Sequence, residues 1–428
     1  MGKLEKYSSY KDSGVEWLGE IPEHWEVKKI KFVMNKIQTG TTPSTNNKNF
    51  FDGDLNWFNP KDLNQEILIE SENKLSQLAL DRREIKLFPK DSILIVGIGA
   101  TTGKTSYLTI NGTFNQQITG FHSTIHHNKF LFYVLRNFSK VFLNVASYTT
   151  LPILNNEFFK SFSIVFPPKK EQTKIASFLD EKTAQIDEVI SQKEKLIELL
   201  KERKQIVIND AVTKGLDKDV EFVDSGVEWI GKIPKHWEIS KVKNIFKLII
   251  EPAPKANEEE LLSIYTDIGV RPRKELAEKG NKASTTDGYW RVKKGDFIVN
   301  KLLAWMGAIG LSEYEGVTSP AYDILRAKKD IVGIYYHELF RLKVFSQEMK
   351  KYSRGIMDMR LRLYFDKFGN ILIPYPSYDE QIKIVEYIEN QTTKIDKAIE
   401  LQQNYISKLK EYKVSLIDSV VTGKVRVV

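Results

Sequence analysis

Residues 97–105 read Gly-Ile-Gly-Ala-Thr-Thr-Gly-Lys-Thr, close in composition to a loop that cradles phosphate. A P-loop sets a glycine five residues before its Gly-Lys pair, where the backbone turns to aim amides at the phosphate, and Ile98 stands there instead. The matching place later in the chain, Ala304-Trp305-Met306-Gly307, has no lysine after its glycine. Nucleotide hydrolysis is therefore not expected. An amino-methyltransferase needs a polar residue, two prolines and an aromatic in that order, and both Phe166-Pro167-Pro168-Lys169 and Asn59-Pro60-Lys61-Asp62 break it. No carboxylate-plus-lysine nuclease set and no His-Glu-x-x-His helix occurs, and His24 and His236 lack companions at ligand spacing. The residues point to no catalytic group and no metal ligand.

What remains is chemistry suited to binding. Between Arg341 and Lys367 eight basic residues stand against three acidic ones. Arg354, Arg360 and Arg362 lie there on short loops that could set a guanidinium against a guanine edge, although a solvated helix face followed by a strand is the plainer account of any one of them. In the first half, Lys104 and Thr105 sit on the glycine loop, and Thr149 lies where the arginines fall in the second half. Hydroxyls and amides at such places suit phosphates and base edges.

These residues need a frame, and the chain writes its frame twice. Glu171–Thr213 returns as Glu380–Thr422, with Ile175 on Ile384, Asp187 on Asp396 and Leu200 on Leu409, all at an offset of 209 residues. Within the first copy Ile175, Leu179, Ile186, Val189/Ile190, Leu196/Ile197, Leu200, Val207/Ile208 and Ala211 recur at three-to-four spacing, with no Gly or Pro before Gly215. The spacing predicts an amphipathic helix of about 60 Å at 1.5 Å per residue. Such a rod cannot bury its own stripe, and the second copy is the natural partner. Lys193 and Gln402 interrupt the stripe and read as solvated edge positions. Gly215 and Gly423 fit helix stops.

A second repeated stretch precedes each domain. Asp12–Glu26, DSGVEWLGEIPEHWE, returns as Asp224–Glu238, DSGVEWIGKIPKHWE. Its Trp, Pro and Gly content predicts a turn-bearing, aromatic-anchored lead-in rather than a helix or a paired strand, with Trp17, Trp25, Trp229 and Trp237 clamping each domain to the helix pair. Asp91–Val96 and Gly295–Asn300 are strand-like in both halves, and carrying their offset of 204 forward sets Asn115-Gln116-Gln117 on Ser319-Pro320-Ala321. The loops differ far more than the frame, as expected of two domains reading two different targets.

Composition bounds the partners. The 428 residues carry a net charge of +8, favouring a polyanion, and contain no cysteine, which excludes disulfides and thiolate metal sites. The longest apolar run, Ile93–Ala100, is far too short for a membrane span, so a soluble cytoplasmic protein with no membrane partner is expected.

Taken together, the doubled Asp-Ser-Gly-Val-Glu-Trp…Ile-Pro-x-His-Trp lead-in, Thr42-Pro43-Ser44, Ile98-Gly99-Ala100 through Gly103-Lys104, Asn300-Lys301 through Ala304-Trp305, Ser319-Pro320-Ala321-Tyr322, and Glu171-Gln172 and Glu380-Gln381 at the helix starts carry a resemblance over nearly the whole length. The chain resembles the specificity (S) subunit of bacterial type I restriction-modification systems. That resemblance implies an α/β (α+β) fold: two globular target-recognition domains joined by two long antiparallel, coiled-coil-like conserved helices, with an internal pseudo-two-fold repeat. The expected layout is a first recognition domain over residues 1–167, a first central helix over 168–215, a second recognition domain over 216–374 and a C-terminal helix over 375–428. It further implies that each domain reads half of a split, asymmetric double-stranded DNA target. Two methyltransferase (M) subunits would bind S-adenosylmethionine and methylate adenine at N6, and restriction (R) subunits would use ATP and Mg. This chain would bind no cofactor, and loop placement and local charge make Lys104, Thr105, Thr149, Arg354, Arg360 and Arg362 its expected DNA contacts. A specificity subunit of a related type II system and a coiled-coil scaffold with two protein-binding domains stay open on the residues alone.

Overall fold

The computed structural model describes residues 5–145, 147–148, 152–275, 286–355 and 361–427. The chain divides into two compact units, Met1–Lys193 with Asn404–Val428, and Glu194–Gln403. Both long helices pass from one unit to the other.

In the first unit the central sheet has the strand order Lys36–Thr39, Ile118–His122, Ser92–Val96, Thr105–Leu108, Ile67–Leu68, antiparallel except for the last pair. Ser92–Val96 is buried along its whole length, as its unbroken apolar run requires. Leu94 and Val96 join Phe58, Phe88 and Phe114 on one face. Ile93 and Ile95, one residue out of phase, are fully buried on the other, where the helix Asn128–Asn137 packs.

The second unit has a four-stranded antiparallel sheet, ordered Phe246–Ile249, Tyr322–Ala327, Phe297–Asn300, Ile309–Leu311. It repeats the first four strands of the other sheet, in the same order. Phe246, Phe297, Tyr336 and Phe340 form an aromatic core between this sheet and the helix Gly333–Phe340. In each unit a strand after the lead-in pairs with one just before a long helix, Glu26–Lys29 with Ser163–Phe166 and Glu238–Lys241 with Leu372–Tyr375.

The two long helices are Lys169–Lys214 and Tyr378–Val421, of 46 and 44 residues. At 1.5 Å per residue each is about 65–70 Å long. Inside each unit they run antiparallel. Lys413 Nζ lies 2.7 Å from Asp187 in the first, and Lys204 Nζ 2.7 Å from Asp396 in the second. These are the same two positions of the repeat. Ile190 and Ile197 turn inward while Val189 and Leu196 remain exposed, so one member of each of these ambiguous apolar pairs is core, whereas Val207 and Ile208 are both buried. Lys193 and Gln402 are half-buried rather than fully solvated, and Lys193 Nζ lies 4.6 Å above the Tyr405 ring.

The lead-ins contain paired strands, contrary to the expectation of an unpaired turn. Tyr10–Asp12 pairs with Glu20–Pro22, and Phe222–Asp224 with Lys232–Pro234. Three-residue strands are too short to show an alternating pattern in sequence.

Two of the four expected tryptophans, one in each lead-in, clamp the long helices through residues that repeat, whereas Trp17 stacks on Phe162 and Trp229 donates to the Leu372 carbonyl. Trp25, fully buried, donates its indole N–H to Glu171 Oε2 at 2.8 Å, and His24 Nε2 lies 2.7 Å from Glu171 Oε1. Trp237 donates to Glu380 Oε1 at 3.1 Å, and His236 Nε2 lies 2.8 Å from that oxygen. The adjoining glutamines are buried and bridge two elements each. Gln172 Nε2 donates to the Pro167 carbonyl (2.9 Å) while its Oε1 accepts the N–H of His127, the residue capping Asn128–Asn137. Gln381 does the same with Pro376 (3.0 Å) and Val332, which caps Gly333–Phe340. The glycines that stop the long helices complete the clamp. Gly215 and Gly423 adopt φ of +73° and +77°, and a Cβ would lie 3.0 Å from Trp237 at the first and 2.4 Å from Pro22 at the second.

Candidate nucleic-acid interface

In the first unit the strand Ser92–Val96 leads into residues 97–104, a loop turned by Gly99 (φ +116°) and Gly103 (φ +88°). Two other segments lock onto it. Gly97 N–H donates to the Gln117 carbonyl at 2.7 Å, and the Gly97 carbonyl accepts Leu154 N–H at 2.9 Å. Residues 97–104, 115–117 and 153–157 are thereby brought together around a cavity of about 310 Å³, lined in part by Thr39, Gln116, Gln117, Thr119 and Asn156.

The loop is not a phosphate cradle. Thr102, Gly103 and Lys104 spend their N–H groups on the carbonyls of Gly99, Val96 and Thr101, and a strand follows rather than a helix. Lys104 is exposed, its Nζ donating to Asn64 Oδ1. Thr105, expected among the contact residues, is instead buried, and its hydroxyl donates to the Gly103 carbonyl at 3.0 Å. That bond braces the turn beside Lys104. Thr149 lies outside the described residues.

The second unit assembles the same three segments. Leu363 N–H donates to the Lys301 carbonyl at 2.8 Å, as Leu154 does to Gly97. Lys301 Nζ lies 3.0 Å from the Pro320 carbonyl and 3.2 Å from Asp323, whose carboxyl burial pushes above its usual range. Arg354 and Arg362 form an antiparallel bridge, exchanging N–H···O bonds of 3.0 and 2.9 Å. Their exposed side chains stand on one face of that bridge, without an ion-pair partner among the described residues. Arg360 lies outside the described residues.

Three other basic residues of this stretch are occupied, while Lys343 is exposed at the start of the helix Lys343–Tyr352. The Arg341 guanidinium donates to the carbonyls of Thr266, Asp267, Gly307 and Ile309, tying down the end of the 301–307 loop. Lys351 pairs with Glu228 and Glu348, and Lys350 covers the Trp305 ring at 4.9 Å. Arg354 and Arg362, exposed and set side by side on one bridge, are thus distinguished from Arg341, Lys350 and Lys351 in a cluster that looked uniform in sequence.

Several residues at these sites carried little signal in the sequence. Gln117 and Asn156 gain their place only where loops meet, although the run Asn115-Gln116-Gln117 was visible, and Lys301 stood in the Asn300-Lys301 motif without a contact role. Among the described residues no group of three or more His, Asp and Glu side chains could hold a metal ion. No described helix is long and apolar enough to cross a membrane.

Comparison with known proteins agrees with this arrangement. The type I restriction modification DNA specificity domain matches residues 22–199. The MjaIX specificity subunit of Methanocaldococcus jannaschii is 29% identical over 268 residues, 61% of this chain and 59% of that relative. The MjaVIII specificity subunit of the same organism is 23% identical over 437 residues, covering 95% of this chain and 94% of the relative. The EcoBI specificity subunit of Escherichia coli is 24% identical over 336 residues, 74% and 70% of the two chains. Two solved structures share the fold. One, from work on complex assembly and conformational transition of the type I R-M system, has a TM-score of 0.70 at 15% identity, covering 94% of this chain and 98% of that one. The other, the HsdS subunit from Thermoanaerobacter tengcongensis, has a TM-score of 0.58 at 14% identity, covering 97% and 100%. The matched domain spans less than half of the chain, and over most of its length the chain is similar in sequence to the specificity subunits of type I restriction-modification systems and shares their fold.

Proposed function

We propose that this chain is the DNA-reading, non-catalytic subunit of a type I complex, with residues 1–167 and 216–374 each reading one half of a split, asymmetric target. One observation carries the reading: the same three segments converge in both units, but their contents differ. The first site presents uncharged amides and hydroxyls beside a single lysine, and the second presents two exposed arginines beside Lys301. Equal frames with unequal contact chemistry suit two unlike half-sites. Lys104, Arg354 and Arg362 are the proposed DNA contacts, with Thr105 bracing the turn that carries Lys104. Thr149 and Arg360 keep their places in the proposal from sequence alone.

The helices over 168–215 and 375–428 set the spacing between half-sites. Exposed Val189, Leu196, Leu199, Ile206, Leu401 and Val414 give them an apolar outer surface suited to docking two M subunits. S-adenosylmethionine belongs to those subunits, and ATP and Mg to the R subunits. Adenine-methylation mapping of DNA from cells expressing this chain with its cognate M subunit, against cells with the M subunit alone, tests the reading. A split, asymmetric methylated motif that requires this chain is expected. No new motif with a competent M subunit, together with DNA affinity that does not fall steeply with salt, would leave a protein-only scaffold.

A further inference from the structure

We propose that Gln117 is a specificity-determining residue of the first unit, a fixed side-chain N–H donor that selects a hydrogen-bond acceptor on a base edge. The proposal rests on the DNA-reading function above and names a residue and a base chemistry within it.

The orientation of this amide follows from its neighbours. Asn115 Oδ1 accepts the backbone N–H of Gln117 at 3.0 Å, so the other end of the Asn115 amide is its NH2 group. That group donates to Asn59 Oδ1 at 3.1 Å and to Gln117 Oε1 at 3.3 Å. The acceptor end of Gln117 is therefore tied, and Nε2 is directed away from Asn115. No described residue accepts a hydrogen bond from Nε2. It sits beside Gly99, where a Cβ would lie 3.4 Å away, and Gln117 lines the 310 Å³ cavity with Ile98, Thr119 and Asn156. The backbone is held as firmly, since the Gln117 carbonyl accepts Gly97 N–H at 2.7 Å.

A free carboxamide can swivel and read either a donor or an acceptor. This one cannot, so it fits an acceptor such as guanine O6 or N7 or thymine O4, and it opposes the amino groups of adenine and cytosine. Side chain and backbone are both set before DNA arrives, which a discriminating contact requires. The position that matches Gln117 in the second unit is Ala321, which has no side-chain donor. The effect should therefore fall on one half-site only.

Gln117→Glu keeps the oxygen that Asn115 holds and replaces the donor with an acceptor, whereas Gln117→Ala removes the group. Each variant, co-expressed with the cognate M subunit, is compared with the unaltered chain by methylation mapping, and co-purification with that subunit reports folding. Gln117→Ala is expected to accept several bases at one position of one half-site. Gln117→Glu is expected to lose methylation of the original motif by about tenfold or more and to favour a base presenting an amino group there. The other half-site should be unchanged in both. An unaltered motif at unaltered level in both variants overturns the assignment, as does uniform weakening without a change of base preference. If Gln117→Ala fails to assemble, Gln117→Glu decides. Absence of any split motif with the unaltered chain removes the DNA-reading function itself, and this assignment with it.

Discussion

Arg354 and Arg362 face each other across two backbone hydrogen bonds, an arrangement in which like charges repel. A polyanion relieves that repulsion, and the free protein bears it at a cost of a few tenths of a kcal/mol. Alanine at either position is therefore expected to leave stability within about 0.5 kcal/mol. The same change should weaken DNA binding by about 1–3 kcal/mol and relax one base pair of the second half-site, if the guanidinium reads a base edge. Lys104→Ala should behave differently, weakening all sequences alike and lowering the slope of log affinity against log salt by about 0.9, as loss of one phosphate contact does. Titration of short duplexes at several salt concentrations separates these outcomes. Unchanged affinity and motif in all three variants would remove these residues from the interface.

At the scale of elements, the junctions between lead-in and long helix matter most, because one tryptophan serves two helix ends. Trp25 packs on Gly423 at the end of one helix and bonds Glu171 at the start of the other. Its replacement by alanine empties a fully buried site and is expected to cost about 3–5 kcal/mol. The stop glycines offer a graded test. Both hold φ values that an L side chain reaches only at a cost of about 1–2 kcal/mol. Gly423→Ala adds a contact at 2.4 Å with the Pro22 ring, whereas Gly215→Ala meets Trp237 at 3.0 Å. The alanine at 423 should therefore destabilise its unit more than the one at 215. Hydrogen exchange at the two lead-in hairpins reads each unit separately, and equal effects would argue that the Pro22 contact relaxes freely.

At the scale of the whole molecule, acid sensitivity and division of labour can be stated. His337 is packed against Gly310 and accepts Leu311 N–H on Nδ1 at 3.1 Å, so it must be neutral; burial, aided by Arg341, lowers its pKa to about 4. An unfolded histidine binds its proton near pH 6.5. As pH falls from about 6.5 to about 4 the unfolded chain gains the proton first, so this residue removes up to about 3 kcal/mol over that window. Above pH 7 it contributes no pH dependence. Thermal unfolding from pH 7.5 to 4.5 should show the loss in the unit containing residue 337, and His337→Gln should flatten it. On the proposed function, replacing residues 216–374 with the equivalent domain of a specificity subunit of known target should change one half of the methylated motif and leave the other. A change in both halves would mean that the domains do not read independently.

Repeats, helices and central strands were legible in the sequence because they are periodic. A buried strand needs an unbroken apolar run, a long helix needs a stripe, and duplication prints each twice, so Ser92–Val96, Phe297–Asn300 and the helices near 169–214 and 378–421 followed from local pattern. The lead-in tryptophans were recognisable as anchors, but their Glu171 and Glu380 partners lie more than 140 residues away and no local pattern names them. The candidate sites were legible only in part. Charge and glycine content marked Lys104 and the 341–367 stretch, yet sequence could not separate Arg341, spent on four carbonyls, from Arg354 and Arg362, whose guanidinium groups reach solvent. Nor could it show that Thr105 turns inward while Gln117 is held open. Side-chain availability depends on which distant groups have already taken each donor and acceptor, and those partners meet only when loops from three parts of the chain converge.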